Sequence, residues 1–158
     1  MINLGLNSRF LLAIVSASSI TLVACTQQTP QTLITIADAR NNPAILIDNG
    51  ETGDSVGDIL LFDQPLLDTD MKNIGTNSGS CLRTRIDHSF QCQWTLTFDY
   101  KTKNSGSIQV AGREYDKGSS NISIVGGTGK FSGVSGEMRS TNNNDGTFTQ
   151  VLHYKIRQ

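Results

Sequence analysis

The chain is poor in the features that mark several large classes of protein. It has no basic excess: 13 Lys and Arg stand against 14 Asp and Glu, with no run of like charge. That excludes the electrostatic footprint of a nucleic-acid binder. It has only 2 histidines and 3 cysteines. Neither His88 nor His153 has a partner at metal-ligand spacing, so both read as surface histidines, and no metal or other cofactor is expected. Prolines number 3. There is no internal repeat and no long amphipathic helical pattern, which excludes solenoids and helical bundles. What is abundant is Ser, Thr, Asn and Gly, the composition of a sheet protein with many turns.

The one long apolar stretch is at the start. Arg9 precedes an apolar segment at 10–23 that is too short to span a bilayer as a helix. It ends in Leu22-Val23-Ala24-Cys25, small residues placed for cleavage just before a cysteine. This is the pattern of a bacterial lipoprotein signal peptide over 1–24, with Cys25 as the lipidation site, carrying palmitate-type acyl chains that hold the protein on a membrane. Thr26 rather than aspartate follows the cysteine, so the expected location is the cell envelope, on the outer membrane, facing the periplasm or the cell surface. Residues 25–32 read as a polar tether, and 33–158 as one folded domain. Removal of the first 24 of 158 residues leaves 134, enough for a real core, with a net charge near −2 once Arg9 is gone.

Within the domain, residues 91–100 alternate strictly, apolar at even positions and polar at odd ones, the period of a half-buried strand. Further strands are predicted at 57–62, 81–86, 107–111, 121–125, 134–141 and 147–156, with weaker ones at 33–37 and 44–47. Turn signals such as Asn49-Gly50 and Asp145-Gly146 recur every ten or so residues. About eight antiparallel strands in this length suggest a small closed barrel or a sandwich. The run Ile124 to Glu137 packs glycines and serines around a lone Phe131, expected to pin a turn.

Several segments in order resemble the allene oxide cyclase and dirigent barrel superfamily. They are Gly57-Asp58-Ile59-Leu60-Leu61-Phe62, Asn73-Ile74-Gly75, Gly79-Ser80-Cys81, the strand at 90–98, Ile108-Gln109-Val110-Ala111-Gly112 and the glycine run. The resemblance spans roughly 57–154. It implies an all-β, eight-stranded antiparallel barrel with an axial ligand cavity, and a homotrimer as in the plant relatives. It also implies where chemistry should lie. Allene oxide cyclases carry a glutamate on the first strand, which with Pro43 as the counterpart proline falls near Ile34 or Thr35. Gln64 stands for an asparagine, and Cys81 matches the cavity cysteine. The acid that would steer epoxide opening has no match, so true cyclase activity is not expected, and the catalytic residues stay unassigned.

Cys81 and Cys92 are expected to pair as a disulfide in an oxidising exported compartment. A cross-strand pairing of 81 with 92 continues as 83 with 90 and 85 with 88. It puts Arg83 on the apolar face with Phe90, Trp94 and Leu96, where a guanidinium needs a carboxylate or a bound anion. A one-residue bulge would instead turn Leu82 inward and Arg83 to solvent; the sequence leaves both open.

Other apparent motifs fail on context. Gly53-Asp54-Ser55-Val56-Gly57 fits a nucleophile elbow but leads into a strand, not a helix. The run from Gly126 to Lys130 meets neither nucleotide fingerprint. Asp68-Thr69-Asp70 lacks the spacing of a calcium loop, and Glu137 with Arg139 reads as an outward pair. The sequence thus points to a lipid-anchored barrel binding a small hydrophobic or amphipathic molecule, with Arg83, Trp94, Leu96, Phe98 and Gln64 as cavity residues. The alternative is an isomerase, cyclase-like or dirigent-like enzyme that confines a reactive intermediate.

Overall fold

A computed structural model describes residues 28–99 and 105–157. The signal segment and tether residues 25–27, Cys25 among them, lie outside the described residues, while Gln31 and Thr32, read from the sequence as tether, are the first residues of β1. Nine strands follow in chain order: β1 (Gln31–Asp38), β2 (Ile45–Ile47), β3 (Ile59–Leu67), β4 (Asn73–Arg85), β5 (Ser89–Phe98), β6 (Gly106–Tyr115), β7 (Ser119–Gly129), β8 (Val134–Asn142) and β9 (Thr147–Ile156). Every neighbouring pair is antiparallel, in the order β1-β9-β8-β7-β6-β5-β4-β3-β2. The sheet closes because β1 also pairs with β3, at Ile36 with Leu67 and Ala37 with Leu66. β2 pairs further along the same edge of β3, at Ile59 to Leu61. β1 and β2 therefore share one edge, and the wall is an eight-stranded antiparallel barrel.

Period-two patterning sets which face of each strand turns inward. Odd positions of β1 and β4 and even positions of β3 and β5–β9 point inward. Leu66, Leu96, Ile108, Val110, Met138 and Leu152 are fully buried there, each contributing roughly 1.5–3 kcal/mol of apolar burial. Around Phe131 the interior is filled: its ring packs 4.8 Å from Phe98 and 6.1 Å from Tyr154. Phe131 does pin the turn between β7 and β8. Gly127 has to be glycine, because a Cβ there would lie 2.6 Å from the Ser107 carbonyl and 2.7 Å from that of Phe131. This is close backbone approach, not phosphate cradling.

The register around the cysteines settles the question left open by the sequence. Cys81 faces Cys92 and Arg83 faces Phe90, and the two sulfurs form a disulfide. A bulge does occur, but between Arg83 and Arg85, so Arg85 faces Ser89 instead of His88. The irregularity falls one step too late to turn Arg83 outward. Several elements also run longer than their predicted spans. β4 reaches back to Asn73, and β6 runs on to Tyr115, because Ser, Thr and Gly on β4 and Gly112-Arg113-Glu114 on β6 carry little apolar signal.

Candidate functional site

The end of the barrel opposite Phe131 is not filled. A cavity of about 540 Å³ opens there between the β1–β2 connection and the β8–β9 turn, walled by Leu60, Phe62, Trp94, Phe148 and the Cys81 half of the disulfide, among others. The size suits one small molecule. Gly79 makes room for its largest wall residue. A Cβ at 79 would stand 2.3 Å from the Trp94 Cβ and 2.4 Å from the Gln93 carbonyl. Phe62 meets the Trp94 ring edge to face, centroids 6.2 Å apart.

Polar groups enter this apolar vessel at two levels. At the floor, the Thr35 hydroxyl donates to Gln150 Oε1 at 2.9 Å, and Gln150 Nε2 donates to Asn77 Oδ1 at 3.1 Å. Thr35 is wholly buried whereas Ile34 points outward, so the β1 position that faces the interior carries a hydroxyl, not an acid. Gln64 projects into the same cavity.

Nearer the mouth is a carboxyl that the sequence analysis missed. Glu114 follows Ile108, Val110 and Gly112 in the inward phase of β6 and lines the cavity. Ser140 Oγ donates to its Oε1 at 2.8 Å, but Oε2 is buried with no partner among the described residues. Desolvation pushes its pKa up to about 7, against a smaller downward pull from Ser140. The signal was available: carrying the even-position alternation of β6 past residue 111 places Glu114 inside. Trp94 Nε1 is a second buried polar atom without a partner. Both residues belong to the cavity lining, but these two atoms are closed to water, so a bound molecule meets them only if the wall moves.

Arg83 takes a different place from the one expected. It faces inward and is buried, yet it does not line the cavity. Its guanidinium lies 3.6 Å over the Phe90 ring, a cation–π contact. Nη1 donates to both oxygens of Asp116 at 2.7 and 2.8 Å, and Nε lies 2.6 Å from Asp54 Oδ1 in an ionic contact not aligned as a hydrogen bond. Two carboxylates of the protein thus occupy the charge that a ligand anion was expected to meet. Of the other residues expected at the cavity, Trp94 and Gln64 are in its wall, while Leu96 and Phe98 lie in the filled core.

Asp54 belongs to a loop held from below by Asp58. That carboxylate accepts from Asn49 N at 2.9 Å, Ser55 N at 2.8 Å and the Ser55 hydroxyl at 3.0 Å. Ser55 is therefore a loop-closing hydroxyl, not a nucleophile. His153 is exposed on β9, with Nδ1 3.1 Å from the Thr32 hydroxyl. His88 sits at the rim against Tyr115. Glu137 and Arg139 are exposed on the outer face of β8.

A closed antiparallel barrel with a cavity at one end and a packed core at the other defines the structural class. Within it, the profile of the Dirigent-like protein family matches residues 22–157, and the chain belongs to that family. No curated protein matches it. Among solved structures, a pyocyanin demethylase superposes with a TM-score of 0.67 at 23% identity, covering 78% of this chain and 99% of that one. The pterocarpan synthase dirigent protein GePTS1 superposes at 0.65 with 17% identity, over 91% of this chain and 98% of its own. The Diels Alderase AbmU from Streptomyces koyangensis gives 0.61 and 14%, over 85% and 72%. At these identities the likeness is one of fold.

Proposed function

We propose that the protein is a lipid-anchored envelope barrel that holds one small hydrophobic or amphipathic molecule in its mouth cavity. The observation that carries this reading is a mostly apolar space of about 540 Å³ whose lining holds Trp94 and the Glu114 carboxyl, which is hydrogen-bonded through one oxygen. The apolar body would lie against Phe62, Leu60 and Trp94, and its polar group would face Glu114, with Gln64 deeper. Anchoring through acylated Cys25, an outer-membrane location and the homotrimer that the resemblance implies belong to the same reading. Radiolabelled palmitate incorporation that survives in Cys25→Ala would remove the anchor from it.

A second reading is supported by one specific feature. A carboxyl poised near neutral pH in a water-poor cavity can give a proton to a bound oxygen or nitrogen, or take one from it, without a large cost in either direction. This suits an isomerase, cyclase-like or dirigent-like reaction in which the walls confine a reactive intermediate and Glu114 moves the proton. The test of the first reading is a Trp94 fluorescence titration with fatty acids and phenolics. A saturable change that weakens about tenfold or more in Glu114→Gln supports it; no change with any compound overturns it. Turnover of a screened substrate pool by wild type but not by Glu114→Gln separates the enzyme from the carrier.

A further inference from the structure

The barrel wall has a break. On the edge of β3 that faces β1 and β2, Leu66 and Leu67 are paired by β1 and Ile59 to Leu61 by β2, but Phe62 to Pro65 have no strand partner there among the described residues. The Asn42 side chain reaches across, donating to the Asp63 carbonyl at 3.3 Å. An outer groove of about 370 Å³ lies against this gap, lined by Pro43, Ile45, Leu61, Phe62 and Gly79 among others. Pro43 and Phe62 line both the groove and the inner cavity. They are the partition between outside and inside.

The surface beside the break is apolar. Ile45 faces Leu61, Ile47 faces Ile59, and Ile59 faces Leu82, so all five share the outer face of three adjacent strands. Ile45, Ile47 and Leu82 are 65%, 44% and 46% exposed. Leu46, on the inner side of β2 with Leu60, is itself 52% exposed, as expected if the wall is open beside it. Contiguous exposed aliphatic side chains of this kind mark a contact surface.

The chain itself indicates what covers it. Cys25 precedes β1 by six residues, so an acyl anchor there holds the barrel within roughly 20 Å of a bilayer. β1 starts at the end closed by Phe131, and the cavity mouth is at the other end. An anchor at the closed end turns the mouth away from the lipid, while β1, β2 and the apolar face follow one line up the same side. We propose that this face rests on the lipid surface and that the break between β1 and β2 is a side port, gated by Phe62 and Pro43, through which an apolar molecule passes from the bilayer into the cavity. The inference rests on the lipid anchor and the cavity reading above.

The experiment uses the full acylated chain reconstituted in phosphatidylcholine vesicles preloaded with N-phenyl-1-naphthylamine, an apolar fluorophore. Arrival in the cavity is read as energy transfer from Trp94, with Trp94→Phe as background. The triple variant Ile45→Ser, Ile47→Ser and Leu82→Ser alters only exposed side chains. It is expected to slow transfer about tenfold or more while leaving the end-point occupancy unchanged, since it weakens lipid contact and not the cavity. An unchanged rate with normal occupancy overturns the port and leaves the cavity reading intact. No occupancy in either protein at equilibrium overturns the cavity reading and the port with it. A change of native mass in the triple variant assigns the face to a second copy of the chain and overturns the lipid assignment.

Discussion

Ser140 and Glu114 meet on the inner face of the barrel, from β8 and β6, over the β7 strand that lies between them. The hydroxyl donates to Oε1 at 2.8 Å. One oxygen of the carboxyl is thereby fixed and the other left bare, which sets both the orientation of the acid and its reluctance to ionise. The barrel holds this acid on a strand remote from the first-strand position that the resemblance pointed to, where Thr35 stands hydrogen-bonded to Gln150. The absence of an acid at one site is therefore not the absence of an acid from the cavity.

Glu114 should make folding stability depend on pH in an uncommon direction. Its folded pKa, about 7, lies above the ordinary 4.5, so the folded state binds the extra proton. Its contribution is fully present below about pH 4.5 and lost as pH rises through about 7, by on the order of 3 kcal/mol at most. Denaturant unfolding at pH 5 and pH 8 should show wild type losing stability relative to Glu114→Gln over that interval. An equal pH dependence in the two proteins would contradict the burial of Oε2.

Arg83→Ala is expected to destabilise the fold by about 2–4 kcal/mol, because it leaves Asp54 and Asp116 facing each other without their cation and removes the packing on Phe90. Ligand affinity, measured at a temperature where the variant is folded, should change little. A large loss of affinity with normal stability would return Arg83 to the binding site.

The disulfide closes a short loop, its cysteines standing 11 positions apart in the sequence. Loop-closure entropy of that size is about 2–3 kcal/mol. Thermal unfolding with and without reductant should show a lower Tm on reduction, and the Cys81→Ser, Cys92→Ser variant should match the reduced protein. Alkylation of both thiols without reductant would refute the pairing.

Gly79→Ala should cost about 3 kcal/mol or more, since the added methyl collides with the Trp94 Cβ and the Gln93 backbone, not with a flexible side-chain end. The emission maximum of Trp94 should shift as its ring is pushed into the cavity. Unchanged stability together with unchanged emission would mean that β4 and β5 are not packed this closely.

Much of the site was hidden for one physical reason. Side chains that line a cavity need not be apolar, so the strands that build it lose the alternation by which strands are recognised. β5, with Cys92, Trp94, Leu96 and Phe98 in phase, was legible end to end. β4 was legible only at Cys81 and beyond, since Gly75, Asn77 and Gly79 face inward without looking like core. Glu114 was lost with the same stretch of β6. Arg83 shows another limit: the sequence left its side open because a one-residue bulge would turn it outward, and its partners Asp54 and Asp116 come from two loops far apart in the chain.

The all-β character and the turn around Phe131 were set by the sequence alone, because alternation, turn chemistry and glycine spacing act between near neighbours. The choice of barrel over sandwich came from the family resemblance, and the pairing of Cys81 with Cys92 was an expectation that the register then showed. Only the tertiary structure decided where the lumen stays empty, that Glu114 is the acid inside it, that Arg83 is neutralised by the protein's own carboxylates, and that the wall is broken between β1 and β2. Each of those depends on curvature and closure, which bring together strands that no local pattern connects.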